Sequence, residues 1–170
     1  MASTTGSGGC AAGRGHGCYR LQWRDRRFHA WLTDIALTPR KSLTLGPLVV
    51  PDEYFADFFR GCIDGDGTIL VYTDRYHATR KATYVYERLY VSLVSASRPF
   101  LGWVQETVER LLRVRGAIYN KSGRTRAPMW ALRYAKHESL RLLPWMYASS
   151  ESPCLARKRA KAEQFMPRPK

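Results

Sequence analysis

The stretch Phe55-Ala-Asp-Phe-Phe-Arg-Gly-Cys-Ile-Asp-Gly-Asp-Gly-Thr68 decides the fold. Its large apolar side chains and one cysteine recur with the period of one helical face, at Phe55, Phe58, Phe59, Cys62 and Ile63. Gly61 and Gly65, four residues apart, leave a groove along the same helix that lets a second backbone approach closely. The two glycines at 65 and 67 predict a turn with positive φ or a tight bend, and a β-branched strand then begins at Thr68. The stretch therefore predicts a helix, a Gly-Asp-Gly turn and a strand.

The composition indicates a folded basic domain. The 170 residues contain 28 Lys and Arg against 14 acidic residues, a net charge of +14 and a pI of about 10.1. Such an excess is typical of nucleic-acid binding, although anionic membranes and ribosomal partners select for it too. An aromatic content of 12% argues against a disordered basic tail. With no apolar run long enough to span a bilayer, we expect nucleic acid and no membrane as partner.

The cysteines indicate the compartment. The four of them, Cys10, Cys18, Cys62 and Cys154, form no C-x-x-C pair. This spacing predicts reduced thiols, not zinc ligands or a disulfide framework. The expected location is the cytoplasm, and the family resemblance described next implies that of a bacterium. An organelle is the alternative, because residues 1–17 share the composition of a transit peptide as well as that of a disordered leader.

A family resemblance follows from the central stretch. Phe59-Arg-Gly-Cys-Ile-Asp-Gly-Asp-Gly67 resembles the signature of the LAGLIDADG homing endonucleases, and Arg60 replaces its small second residue as in bacterial members. The segment Thr38 to Tyr54 is similar to the lead-in of those members. The likeness covers Tyr19 to Gln164, with a single acidic signature. A calcium loop is excluded as the reading of Asp64 to Gly67, because the following strand supplies no further oxygen ligands.

The domain division follows from this likeness. Residues 1–17 are the leader, and residues 49–170 form the endonuclease domain. Residues 18–48, a strand at 19–23 and a helix at 27–37, resemble the tail of a lost or degenerate preceding repeat.

The predicted fold class is α+β. From Pro51 onward the patterns give the order α-β-β-α-β-β-α, with strands over 68–76, 83–96, 116–121 and 128–134. Helices are expected over 99–113 and 137–147, and a last helix is expected to be capped by Ser152 and begun by Pro153. Four antiparallel strands with helices on one face leave the other face open as a saddle. A curved basic face of this kind suits the major groove of DNA.

Polar and aromatic side chains alternate with apolar ones along these strands. Seven of them are the candidate DNA contacts: Tyr72, Tyr86, Arg88, Tyr90, Tyr119, Lys121 and Arg133. Tyrosines at this density on a face that would normally meet water indicate that it meets a partner.

Candidate catalytic residues follow from the resemblance and from the chemistry of phosphodiester hydrolysis. Asp66 lies at the end of the signature helix, and its carboxylate, with the Gly65 carbonyl beside it, suits Mg²⁺. Asp64 is expected to cap the turn. Lys158 matches the family's basic residue near the scissile phosphate, although a plain phosphate contact is the alternative, and Ser97 matches a residue that positions water.

The resemblance implies a homodimer. One Asp66 per chain is too few for cutting both strands, so two signature helices are expected to pair through Phe58, Gly61, Cys62 and Gly65. Packing of residues 18–48 against the two glycines is the alternative. The predicted function is a Mg²⁺-dependent DNA endonuclease that makes a staggered break at a long pseudo-palindromic site. A non-catalytic binder, either an intron RNA maturase or a decayed endonuclease, is the rival function.

Overall fold

The structure is a computed structural model that describes residues 24–35, 37, 43–76, 85–122, 128–149 and 151–166. Its helices are α1 Arg26–Asp34, α2 Phe55–Asp66, α3 Arg98–Leu112, α4 Lys136–Met146 and α5 Ala156–Glu163, with a 3₁₀ turn at Asp52–Tyr54. Its strands are β1 Thr68–Asp74, β2 Tyr86–Ser95, β3 Ala117–Asn120 and β4 Trp130–Tyr134. The predicted order of elements from Pro51 is confirmed, and each boundary lies within a few residues of its prediction. The fold class is α+β.

The four strands form one antiparallel sheet in the order β1-β2-β4-β3. Leu70 lies opposite Tyr90, Ser92 opposite Arg133, and Arg133 opposite Ala117. Because directly opposed residues share a face, this register aligns the polar positions of all four strands on one side. The sheet thus has one apolar face and one polar face.

Helices cover the apolar face. Phe55, Phe59 and Ile63 of α2 are fully buried, and they join Leu89 and Val91 of β2 in one core. Helices α3 and α4 add further apolar side chains to the same core, at Phe100, Leu101, Val104, Val108, Leu142, Leu143 and Met146. The opposite face of the sheet is left without a covering layer among the described residues.

The end of α2 differs from the predicted Gly-Asp-Gly turn. The helix continues through Gly65 to Asp66, and none of the described glycines has a positive φ. Gly67 is extended at φ −91° and ψ 176°, so it is not needed for a left-handed conformation. It is needed for space, since a Cβ there would lie 2.6 Å from the Cα of Ile63. Of the two conformations predicted for these glycines, a positive φ or a tight bend, the positive φ was wrong. Close approach of the backbone is the physical reason for Gly67.

The start of the last helix also differs from the prediction. Helix α5 begins at Ala156 with Leu155 as its N-cap, and Ser152 does not cap it. The Ser152 hydroxyl donates instead to Asp57 Oδ1 at 3.4 Å. The chain between Tyr147 and Leu155 is therefore a connector that passes beside α2.

The described residues include only part of the predicted N-terminal segment. The leader and the strand expected at 19–23 lie outside the described residues. Helix α1 ends at Asp34, earlier than the predicted residue 37, and it buries no side chain. Its aromatic rings Phe28 and Trp31 stack on each other at 5.6 Å between centroids. No helix among the described residues is long and apolar enough to cross a membrane.

Candidate active site and nucleic-acid face

Asp66 is the last residue of α2 and is exposed to solvent. Phe58, Cys62 and Asp66 fall one turn apart on a single row of the helix, and this row lines a groove of about 810 Å³. Thr68 and Lys121 line the same groove. Burial and then the negative charge of Asp66 raise the pKa of the Cys62 thiol to about 11, so this thiol stays protonated. The signature helix therefore places a carboxylate in a groove that a basic side chain shares.

The oxygen atoms at the end of α2 suit a hard divalent cation whose remaining ligands come from substrate and water. Within the described ranges, no group of three or more His, Cys, Asp and Glu side chains could hold a metal ion. Mg²⁺ is commonly bound through one or two carboxylates together with substrate phosphates and water, and not by an all-protein cage. The exposed Asp66 carboxylate and the neighbouring Gly65 carbonyl fit this pattern.

Gly61 and Gly65 lie on an open side of α2. A Cβ built on either glycine would meet no atom within 4 Å from the other elements that the structure describes. The alternative that these glycines pack against the preceding segment is therefore wrong for the described part of that segment. Phe58 and Cys62, on the adjacent row, are half-buried and pack against the core. The helix thus presents a stripe without side chains to any partner that approaches it.

The polar face of the sheet carries the predicted contacts. Tyr72 and Tyr90 stack across β1 and β2 with ring centroids 6.4 Å apart. The Arg133 guanidinium lies 5.1 Å from the Tyr90 ring and 4.9 Å from the Tyr119 ring. Four side chains thus form a continuous ladder across all four strands, in the order Tyr72, Tyr90, Arg133, Tyr119. Stacking on two rings pre-organises the Arg133 side chain in the middle of the face.

Arg88 and Tyr86 occupy the outer end of this face. The Arg88 Nε donates to Asp74 Oδ2 at 3.0 Å, and this bond to a carboxylate raises the pKa of the guanidinium. The same guanidinium lies 5.4 Å from the Tyr86 ring. The sequence did not predict Asp74 here. Its carboxylate pairs with the Arg88 guanidinium and adds a negative charge to this end of the polar face.

Lys158 is 4% exposed, although both roles expected for it, near the scissile phosphate or as a plain phosphate contact, require an accessible ammonium. Its ammonium donates to three carbonyls at the end of α2, those of Ile63, Asp64 at 2.8 Å and Gly67 at 2.9 Å. Burial, more than the nearby Arg157, lowers the pKa of this ammonium. The structure brings Lys158 to the end of the signature helix but directs its protons into the protein.

Ser97 is the N-cap of α3 and is 1% exposed. Its hydroxyl accepts from the Phe100 N–H at 3.3 Å and donates to the Leu45 carbonyl. Such a cap stabilises a helix by about 1 kcal/mol. The catalytic role expected for Ser97 stays a prediction, and its hydroxyl already has partners on both sides.

Arg60 and Asp64 of α2 bond this helix to the connector before α5. The sequence did not predict a contact outside α2 for either residue. Arg60 is 5% exposed, and its guanidinium donates to the carbonyls of Met146 at 2.9 Å and Pro153 at 3.2 Å. Asp64 Oδ2 accepts from the Leu155 N–H at 2.9 Å, so Asp64 caps the start of α5 and not its own turn. Asp57 and Arg60 also form an ion pair at i, i+3 spacing, but this spacing gives no signal for the contacts with the connector.

Comparison with known proteins gives matches at the level of structure only. No protein-family model and no curated protein sequence matches this chain. The group I intron-encoded homing endonuclease I-CeuI, solved in complex with DNA, superposes with a TM-score of 0.51 and 20% identity over 82% of this chain and 63% of its own. The archaeal intron-encoded homing endonuclease I-Vdi141I, also complexed with DNA, superposes with a TM-score of 0.50 and 16% identity over 68% of this chain and 66% of its own. The matched part is thus slightly less than two thirds of either relative.

Proposed function

We propose that this protein, which has the fold of the LAGLIDADG homing endonucleases, is a metal-dependent DNA endonuclease. The observation that carries the proposal is the position of Asp66. The carboxylate ends a helix that borders an open basic and aromatic sheet face, and it lines a groove together with Lys121. A protein that only binds nucleic acid has no need of an exposed carboxylate at this point, since it would repel phosphates.

The substrate that fits the face is double-stranded DNA. The ladder from Tyr72 to Tyr119 crosses the sheet and offers stacking surfaces and one pre-organised guanidinium. The major groove of B-DNA admits β-ribbons, and a guanidinium reads guanine there through two hydrogen bonds. We infer that the sheet lies in the major groove, with Lys121 at the end of the sheet nearest the scissile phosphate.

Asp66 and the Gly65 carbonyl would hold the metal ion, for which we propose Mg²⁺. Bound there, a divalent cation supplies charge neutralisation at the phosphate and a water of lowered pKa. The chain's own contribution is to fix the carboxylate at the edge of the DNA-binding face. Lys121 would add positive charge on the same side of the groove.

The active unit we propose is a homodimer. A single chain presents one Asp66, whereas a double-strand break needs two phosphodiester cuts. Pairing of two copies of α2 along Gly61 and Gly65 would bring two such residues together and give a two-fold interface. Two saddles related by this axis would cover a long pseudo-palindromic site.

Replacement of Gly61 by valine should prevent this pairing and leave the monomer folded. A Cβ at 61 meets no atom of the other described elements within 4 Å, so the branched group would project toward a partner helix. Sedimentation velocity on target DNA should show a loss of the two-to-one complex, and the far-ultraviolet circular dichroism spectrum should be retained.

The matched control is Gly102→Val on α3. A Cβ at that helical glycine also meets nothing within 4 Å, yet α3 has no place in the proposed interface. This variant should keep the two-to-one stoichiometry. A Gly61→Val protein that still binds DNA as a dimer would show that α2 is not the pairing helix.

The proposed function is tested by selection for cleavage from a randomised library of double-stranded DNA in the presence of Mg²⁺. A staggered cut at an enriched site of pseudo-palindromic sequence is the expected result. Enrichment by binding without any cleaved product would instead favour a non-catalytic binder. Preference for a structured intron RNA over duplex DNA in a parallel arm would favour a maturase.

A further inference from the structure

We propose that Lys158 is a positioning residue, which holds the end of α2 and thereby aims the Asp66 carboxylate and the Gly65 carbonyl. This inference rests on the proposed nuclease function, and it differs from the direct action on the scissile phosphate that the resemblance implies. Three observations carry it: the bonds that the ammonium makes, the way in which α2 ends, and the place of Asp66 between the bonded carbonyls.

The ammonium group of Lys158 has no proton left for DNA. A lysine ammonium carries three N–H donors, and here they face the carbonyls of Ile63, Asp64 and Gly67. Lys158 is 4% exposed, and the bond to the Ile63 carbonyl is fully buried while the other two are partly buried. A group in this state stabilises what it bonds to, and here that is backbone.

The end of α2 lacks the usual means of satisfying its last carbonyls. The four carbonyls of a final helical turn have no partner within the helix, and a residue in the left-handed conformation often allows following N–H groups to bond them. Gly67 is instead extended, and its N–H donates only to Ile63 at 3.0 Å. Lys158, which lies on α5, therefore acts as the C-terminal cap of α2.

The positive charge of Lys158 also stabilises the end of α2. The C-terminal end of a helix carries a partial negative charge, and Asp66 adds a full one at the same place. An anionic side chain at a helix C-terminus is unfavourable by itself. The buried ammonium beneath it offsets both charges and lets the helix extend as far as Asp66.

The bonded carbonyls lie on either side of the proposed metal ligands. Lys158 bonds residues 64 and 67, so the intervening Gly65 and Asp66 are held at both ends. Helix α5, which carries Lys158, is in turn joined to α2 by the Leu155 N–H bond to Asp64. The direction of the Asp66 carboxylate thus depends on Lys158.

The experiment compares Lys158→Met with Lys158→Gln in single-turnover cleavage of the selected DNA, titrated with Mg²⁺. The two replacements are equally long and uncharged, but only glutamine can donate to the α2 carbonyls. We expect Lys158→Met to raise the Mg²⁺ concentration at half-maximal rate by roughly 10- to 100-fold, the range for residues that orient metal ligands. Lys158→Gln should fall between Lys158→Met and the original chain. Saturating Mg²⁺ should restore most of the rate.

Other outcomes would overturn the proposal. Equal loss of maximal rate in both variants, with the half-saturating Mg²⁺ concentration unchanged, would mean that the lysine charge acts on the DNA directly. A lowered melting temperature with unchanged Mg²⁺ dependence would mean a purely structural role. If Lys158→Met does not fold, the same distinction is made between Lys158→Gln and the original chain.

A second measurement separates this inference from the proposed function. Hydrogen exchange of the free protein, without DNA or metal, should accelerate at the amides of residues 64–68 in Lys158→Met, with other helices unchanged. If the original chain cuts no DNA, the nuclease proposal fails while this acceleration would still show that Lys158 holds the helix end. Unchanged exchange at those amides would overturn the positioning role whatever the activity.

Discussion

Asp66→Asn should abolish cleavage in Mg²⁺ while DNA binding persists. The replacement keeps the size and shape of the side chain but removes the charge, and a hard cation loses its main protein ligand. The rest of the binding face lies on the sheet, where the aromatic ladder and Arg133 do not depend on Asp66. Single-turnover cleavage and electrophoretic mobility shift on the same target would measure the two properties separately. Cleavage near the original rate would show that Asp66 is not the metal ligand and that the catalytic centre lies elsewhere in the chain.

The matched control is Asp64→Asn, two residues earlier on the same helix. Asp64 accepts from the Leu155 N–H and from the Tyr147 hydroxyl, so its carboxylate is held by two partners of its own chain. Burial and then the negative charge of Asp64 raise the pKa of Tyr147, which therefore stays a donor. Asparagine keeps one acceptor oxygen, and we expect a lower melting temperature with metal-dependent cleavage retained. The pair of variants thus separates loss of a metal ligand from loss of an anchor.

DNA affinity should fall steeply with salt. A chain of net charge +14 is expected to neutralise about six to ten phosphates, and release of that many counterions predicts a loss of roughly 10³- to 10⁵-fold between about 50 and 200 mM salt. Filter binding over this range would measure the slope. A flat response would contradict binding through the phosphate backbone.

Two arginine variants identify which part of the surface produces the slope. Arg133→Gln removes the guanidinium held between Tyr90 and Tyr119 on the polar face. It should weaken DNA binding. If the guanidinium contacts a phosphate, the slope of log affinity against log salt concentration should be smaller by about 1. If it reads a base, the preference for that base should relax. Arg110→Gln is the control, because Arg110 lies on α3 and pairs with Asp52. Equal effects of both variants would place the DNA somewhere other than the sheet.

Most of the fold could be read from local patterns. The period of the apolar residues in α2 and the alternation of Tyr86, Arg88 and Tyr90 with Leu89 and Val91 depend on neighbouring positions in the chain. Such periods are properties of the sequence itself, so they predicted the order of elements and the composition of each sheet face. The stripe at Gly61 and Gly65 could also be predicted, because it depends on two positions one helical turn apart.

The contacts around the end of α2 could not be read in this way. The carbonyls that Lys158 and Arg60 bond lie more than 80 residues away along the chain, and any residue type supplies a backbone carbonyl. Composition and spacing carry no signal for a bond to a carbonyl. The basic run around Lys158 was therefore interpreted as a set of phosphate contacts, although Lys158 itself is buried.

The sequence by itself determined an α+β chain with an acidic helix end, a basic and aromatic strand face and a helix stripe free of side chains, because each is set by residues close together in the chain. Only the tertiary structure decided that α2 extends through Asp66, that Gly67 is required for space and that α5 caps α2 through Lys158. These outcomes depend on how distant segments pack, and packing brings together groups whose separation in sequence conveys nothing about their distance in space.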